Sequence, residues 1–150
     1  MARQTKAVLG KNLLHAIKTQ GTEYAVAFCN TRAYPLTDSV ALAMNAKIKR
    51  VSDKNRNPQN KANARQLAYI EAAKEQLALG QAITPQMYQD AGKVEAYYPI
   101  LTNAMCLNCH GDPSEMDPGT LGKIQELYPE DQAMGYEENE LRGIWVVEME

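Results

Sequence analysis

Apolar positions in the first thirty residues recur at helical spacing: Val8, Leu9, Leu13, Ala16, Ile17, Tyr24, Ala27 and Phe28. That period predicts one long helix over residues 3–29, with Gly21 as a kink or weak point. Tyr34-Pro35 breaks the pattern, and Thr37 or Asp38 is placed to cap a second helix across residues 40–44. Residues 46–52 alternate polar and apolar as an edge strand would. A polar, turn-rich stretch from Asp53 to Asn60 follows, centred on Arg56-Asn57-Pro58. A third helix is predicted over residues 61–79. It carries Leu67, Ile70, Ala73 and Leu77 on one face and has Gly80 as its stop.

The second half is more strand-like. Val94, Ala96, Tyr98 and Ile100 alternate with Glu95, Tyr97 and Pro99, so residues 92–101 read as a strand. Pro99 there suits an edge or a bulge. Residues 103–110 form a short helical turn, ended by Gly111-Asp112-Pro113. Pro118 opens a helix to about Tyr128, with Leu121, Ile124 and Leu127 facing inward. Residues 130–140 are an acidic loop, and residues 141–149 a final strand. The expected class is α+β, one domain over residues 1–150, with no internal repeat.

Composition narrows the picture only a little. A chain of 150 residues buries a real core, removing roughly two-thirds of its unfolded surface from water. Apolar content of 45% and a net charge of −2 fit an ordinary soluble globule and give no reason to expect nucleic acid. No apolar run reaches membrane-spanning length.

The chemistry is concentrated in Cys106-Leu107-Asn108-Cys109-His110. C-x-x-C-H is the attachment signature of a c-type haem. Two thiols on one helical turn each add across a porphyrin vinyl group, and the adjacent imidazole becomes an axial ligand. The motif takes two of three cysteines and one of two histidines, which composition alone does not explain. A thioredoxin-like pair would want a βαβ context, and a zinc site a second Cys or His pair. Neither is present. One covalent haem c, through Cys106 and Cys109 with His110 on the iron, is the expectation. Such attachment normally occurs outside the cytoplasm, so a periplasmic or otherwise extracytoplasmic location is expected. Met1-Ala2-Arg3-Gln4 opens without a signal-peptide core, so a leader or membrane tether is expected to belong to the precursor.

Cys29 is then an odd thiol. Residue chemistry leaves it open as a small buried hydrophobe or as the second axial ligand, with one of seven methionines as a competing ligand. His15 lies fourteen positions earlier on the same predicted helix, about 21 Å away, so both cannot reach one iron. Arg32, Arg50, Arg56 and Arg142 are candidates to pair with haem propionates. Phe28, Tyr97 and Tyr98 are either haem-packing or core residues.

The motif sits two-thirds along the chain between predicted strands, unlike small all-helical cytochromes c. Several ordered blocks resemble the Tll0287-like family of c-type haem domains. They are Ala27-Phe28-Cys29-Asn30, Arg56-Asn57-Pro58-Gln59-Asn60, Tyr98-Pro99-Ile100, Cys106 to Gly111, Met134-Gly135-Tyr136 and Leu141-Arg142-Gly143. The resemblance implies a PAS-like antiparallel sheet with a long N-terminal helix and flanking helices. It also implies His110 as one axial ligand and Cys29 as the other, and it favours Arg56 among the arginines. Phe28 departs from the family pattern, which has a smaller aliphatic or acidic residue there.

A His/thiolate iron has a low reduction potential, because the thiolate favours the ferric state. Reduction weakens its hold on Cys29, so protonation and release of the thiol would open a site for CO or NO. The expected function is a redox or diatomic-gas sensor module. The alternative is a low-potential periplasmic electron-transfer cytochrome with a redox partner protein. A haem enzyme is disfavoured, since no distal His-Arg pair is evident. The long amphipathic first helix would suit a homodimer or core packing equally.

Overall fold

In the computed structural model, which describes residues 1–149, the first helix α1 runs Ala2–Ala43 and is broken at Gly21. Gly21 sits at φ 84° and ψ 175°, a region open essentially only to glycine. A straight helix of this length would extend about 63 Å. Instead Ala2 and Leu9 join Ala41 and Val40 in one apolar cluster, so the chain doubles back at Gly21 into two packed arms, residues 2–20 and 22–43.

The expected break at Tyr34-Pro35 does not occur. The second arm passes through Pro35, which is exposed, and Thr37 bonds back to the Ala33 carbonyl at 2.8 Å instead of capping a new helix. Ala33, Thr37 and Ala41 are buried at four-residue intervals. That packing outweighs the one ladder bond proline removes.

The strands are β1 (Lys47–Val51), β2 (Gln86–Asp90), β3 (Lys93–Leu101) and β4 (Leu141–Met149). They form one antiparallel sheet in the order β1-β4-β3-β2. β2 was not legible in the pattern, because Gln-Met-Tyr-Gln-Asp is mostly exposed and lies at the sheet edge. Its hairpin with β3 turns at Ala91 and Gly92, both at positive φ. Pro99 lies beyond Tyr97, the last β3 residue that β2 pairs, so no ladder bond is lost on that flank.

The two sheet faces carry different layers. Ile48, Ala96, Trp145 and Val147 face the α1 arms. Val51, Tyr97, Ile144 and Val146 face α2 (Ala64–Ala78), meeting its Tyr69, Ile70 and Ala73. Helix α2 starts at an Asn63/Gln66 capping box. The short α3 (Ala104–His110) and α4 (Pro118–Leu127) complete the chain, and α4 packs against the second arm through Val26 and Ile124. Part of the α1 apolar stripe is thus used in packing within the chain, while Leu14, Tyr24 and Leu42 stay exposed.

Candidate functional site

Helix α3 owes its position to its ends. Asn103 caps it, accepting the Cys106 N–H at 3.2 Å and the Cys106 thiol at 3.3 Å. Gly111 ends it, where any Cβ would stand 2.7 Å from the Leu107 carbonyl oxygen. Cys106 and Cys109 therefore share one face, three positions apart on a single turn. That face closes a cavity of about 280 Å³ whose other walls are the two α1 arms, the end of β1 with the loop after it, and the start of β4. Leu13, Ile17, Val26, Ile100 and Trp145 make its walls largely apolar.

His110 is held by a backbone group. Its Nδ1 lies 2.8 Å from the Ala133 carbonyl oxygen, which only accepts, so Nδ1 carries the proton and donates. Nε2 is left with a free lone pair, the arrangement a metal-binding imidazole needs. Burial pushes the His110 pKa well below 6.5, and Arg142, Arg56 and Arg50 push it further, against the Ala133 bond. The ring is thus neutral at physiological pH, as a ligand must be.

The Ala133 carbonyl is in turn fixed by a clamp. Arg56 Nη2 donates to the Cys109 carbonyl at 2.6 Å and to Asp131 Oδ2 at 2.9 Å, and reaches the Ala133 carbonyl at 3.2 Å. Asp131 Oδ1 accepts the Ala133 N–H at 2.8 Å. The loop after α4 is further stitched to α3 by Tyr136 N–H to the His110 carbonyl and Gly135 N–H to the Gly111 carbonyl.

Cys29 lies on the second arm and lines the same cavity as Cys106, Cys109 and His110. Burial raises its pKa, partly countered by Arg50 and Arg56. Burial also lifts Cys109 to about 11. Both are therefore neutral thiols without a metal, whereas a bound cation would deprotonate a coordinating thiol.

The structure sorts the remaining sequence candidates. Arg50, Arg56 and Arg142 line the cavity; Arg32 is exposed and does not. His15 is exposed on the first arm and is no part of the site. Tyr97 belongs to the core on the far sheet face, its ring tilted between those of Tyr69 and Tyr88 with centroids 5.4 and 5.0 Å away. Phe28 and Tyr98 are half-buried but do not line the cavity.

Three contributors escaped the sequence reading. Ala133 acts through its carbonyl, so its side chain carries no signal. Asp131 hid in a loop whose acidity read as solvation. Trp145 read as an ordinary strand residue.

This constellation has the parts the C-x-x-C-H motif calls for. Two thiols on one helical face meet an imidazole with a free Nε2. A third thiol faces them from another helix, in an apolar cavity carrying unsatisfied buried donors, Arg56 Nε and Arg142 Nε. These residues fit a haem, with Cys106 and Cys109 as attachment points and His110 and Cys29 as the available iron donors.

Comparison with known proteins agrees with this architecture. None of the curated proteins compared matches the chain. The crystal structure of the cyanobacterial heme-protein Tll0287 superposes with a TM-score of 0.73 at 22% identity, covering 97% of this chain and 88% of that one. At that identity the likeness speaks for the fold. The Tll0287-like family model matches residues 1–149, and the chain belongs to that family.

Proposed function

We propose that this protein is a monohaem c-type cytochrome with His110 and Cys29 as axial ligands, acting as a redox or diatomic-gas sensor module. The observation that carries the reading is the meeting of Cys29 with Cys106, Cys109 and His110 in one apolar cavity, from helices far apart in sequence. A solved structure similar to it is described as a heme-protein. Haem supplies a reversible one-electron couple and affinity for small gases.

The chain's own residues do the rest. Cys106 and Cys109 would hold the group, each thiol adding its sulfur to one vinyl carbon and its proton to the other, which would need no oxidant. Ala133 holds the His110 tautomer. Met105 lines the cavity too, but it sits on α3 itself, so it cannot face His110 from the opposite wall. Cys29 can.

Burial favours the neutral Cys29 thiol. With haem bound, a fall in the positive charge opposite it would favour protonation of Sγ and release a tether on the second arm of α1. The freed position would be open to CO or NO. A redox change would then be passed to the α1 hairpin, which a partner could read.

A second reading, a low-potential electron carrier with a redox partner protein, has one observation in its favour. Asn108 is exposed, and Cys106 and Cys109 only half-buried, so the α3 side of the cofactor would lie near the surface. In both readings the protein works in an extracytoplasmic compartment, where haem is attached.

Attachment is tested by denaturing electrophoresis of protein matured with a haem-attachment system. Wild type retains haem through denaturation. Cys106→Ser with Cys109→Ser releases all of it, while either single variant keeps one thioether. Haem that washes out of the wild type would overturn the c-type assignment.

A further inference from the structure

The cavity is unbalanced in charge. Arg50, Arg56 and Arg142 line it together with the exposed Lys6, with no aspartate or glutamate among its lining residues. Buried charge is costly unless paired, so each arginine needs an account.

Arg56 has one for its charge, since Asp131 neutralises it and two carbonyls accept from the same Nη2, although its Nε is left without a partner. Arg142 has none. Its Nη1 donates to Ser52 Oγ at 3.1 Å and to the Lys54 carbonyl at 3.2 Å, both neutral acceptors. Among the described residues no carboxylate lies within ion-pair reach of Arg142 or Arg50. Arg50 instead sits 5.6 Å over the ring of Trp145, its register partner on β4.

Unsatisfied donors mark the same place. Arg142 Nε and Trp145 Nε1 are buried without a partner, and Trp145 is only 4% exposed. A buried donor left unpaired is expensive. Here three such donors, on Arg56, Arg142 and Trp145, belong to side chains of one cavity in which Arg50 and Arg142 have no carboxylate partner among the described residues. Ser52 fixes Arg142 in advance, accepting from its Nη1 while donating its own hydroxyl to the Arg142 carbonyl at 2.8 Å. A preorganised, cationic, donor-rich corner fits carboxylate.

We propose that the β1/β4 end of the cavity is a carboxylate subsite in which Arg142, Arg50 and the Trp145 indole hold the acidic substituents of the cofactor. Arg56, favoured from sequence for this role, is a structural clamp instead. The assignment rests on the haem reading above. It orients the group, with vinyl edges toward α3 and carboxylates toward β1 and β4. Two arginine charges match two propionates.

The test uses haem-loaded protein and compares wild type with Arg142→Gln, Arg142→Lys, Arg50→Gln and Trp145→Phe. Resonance Raman reads the propionate bending bands and potentiometry the reduction potential. Arg142→Gln and Arg50→Gln are expected to shift the bands and lower the potential, since each removes a positive charge near the iron. Arg142→Lys restores most of the potential but not the bands, lacking the planar fork. Trp145→Phe shifts a band and leaves the potential in place, because no charge is lost. If Arg142→Gln fails to fold, Arg50→Gln and Trp145→Phe decide the matter.

Bands at their wild-type positions in every folded variant would overturn the subsite. A wild-type protein without a thiolate signature, but with shifted bands in the variants, would leave the subsite standing and remove only the Cys29 ligation.

Discussion

Replacing Cys29 with methionine is expected to raise the reduction potential by several hundred millivolts, within the ~0.8 V range that axial ligands span. A thiolate donates charge and holds iron ferric, whereas a thioether is neutral and favours ferrous iron. Cys29 lines the cavity opposite α3 from a separate helix, so a methionine there points at the same position. His110, Cys106 and Cys109 are untouched, so the haem stays attached and only the sixth ligand changes. Potentiometric titration of wild type and Cys29→Met, with optical spectra at each potential, checks this. The sensor reading adds a second outcome. Reduced wild type should bind CO readily, because its thiol leaves, while reduced Cys29→Met should bind it poorly, because a thioether stays on ferrous iron.

Asp131→Asn is expected to destabilise the protein by about 3–5 kcal/mol, the usual consequence of leaving one partner of a buried ion pair uncompensated. The side chains of Arg56 and Asp131 are only 12% and 4% exposed, at 2.9 Å, so water cannot replace the lost charge. The damage also reaches the site. Asp131 holds Arg56 against the Cys109 carbonyl and positions the Ala133 carbonyl that orients His110. Denaturant unfolding of the haem-loaded protein measures the loss. The double variant Arg56→Met with Asp131→Leu should cost clearly less than the sum of the single changes, because no orphaned charge remains. Equal additivity would mean that the pair contributes through packing rather than charge.

The parts of this molecule that could be read from sequence are those whose chemistry is local. Cys106, Cys109 and His110 are neighbours in the chain, so their joint purpose is visible before any fold is known. The α2 and α4 helices announce themselves through apolar spacing, Leu67, Ile70, Ala73 and Leu77 in one with Gly80 as its stop, and Leu121, Ile124 and Leu127 in the other behind Pro118. Cys29 stood between a bland and a sharp reading until the family resemblance favoured it, because a thiol's role depends on what faces it across seventy-odd residues of chain.

What stayed hidden had no local signature. Gly21 looked like a kink, but helical periodicity says nothing about ψ, and it is ψ at 175° that reverses the chain. Pro35 looked like a stop, yet tertiary packing of Ala33, Thr37 and Ala41 carries the helix through it. Strand β2 had too little apolar alternation to register, since its outer edge and most of its side chains face water. Arg56 was favoured from sequence for propionate pairing, and it lines the cavity. Its partner Asp131 lies 75 positions away, so its role as a clamp could not be separated from propionate binding.

The most direct test of the account is the low-temperature EPR spectrum of the ferric haem-loaded protein beside Cys29→Ala. A low-spin signal of the His/thiolate type in the wild type, lost in the variant, is the predicted result. An unchanged spectrum in Cys29→Ala would contradict it and return the sixth position to another ligand.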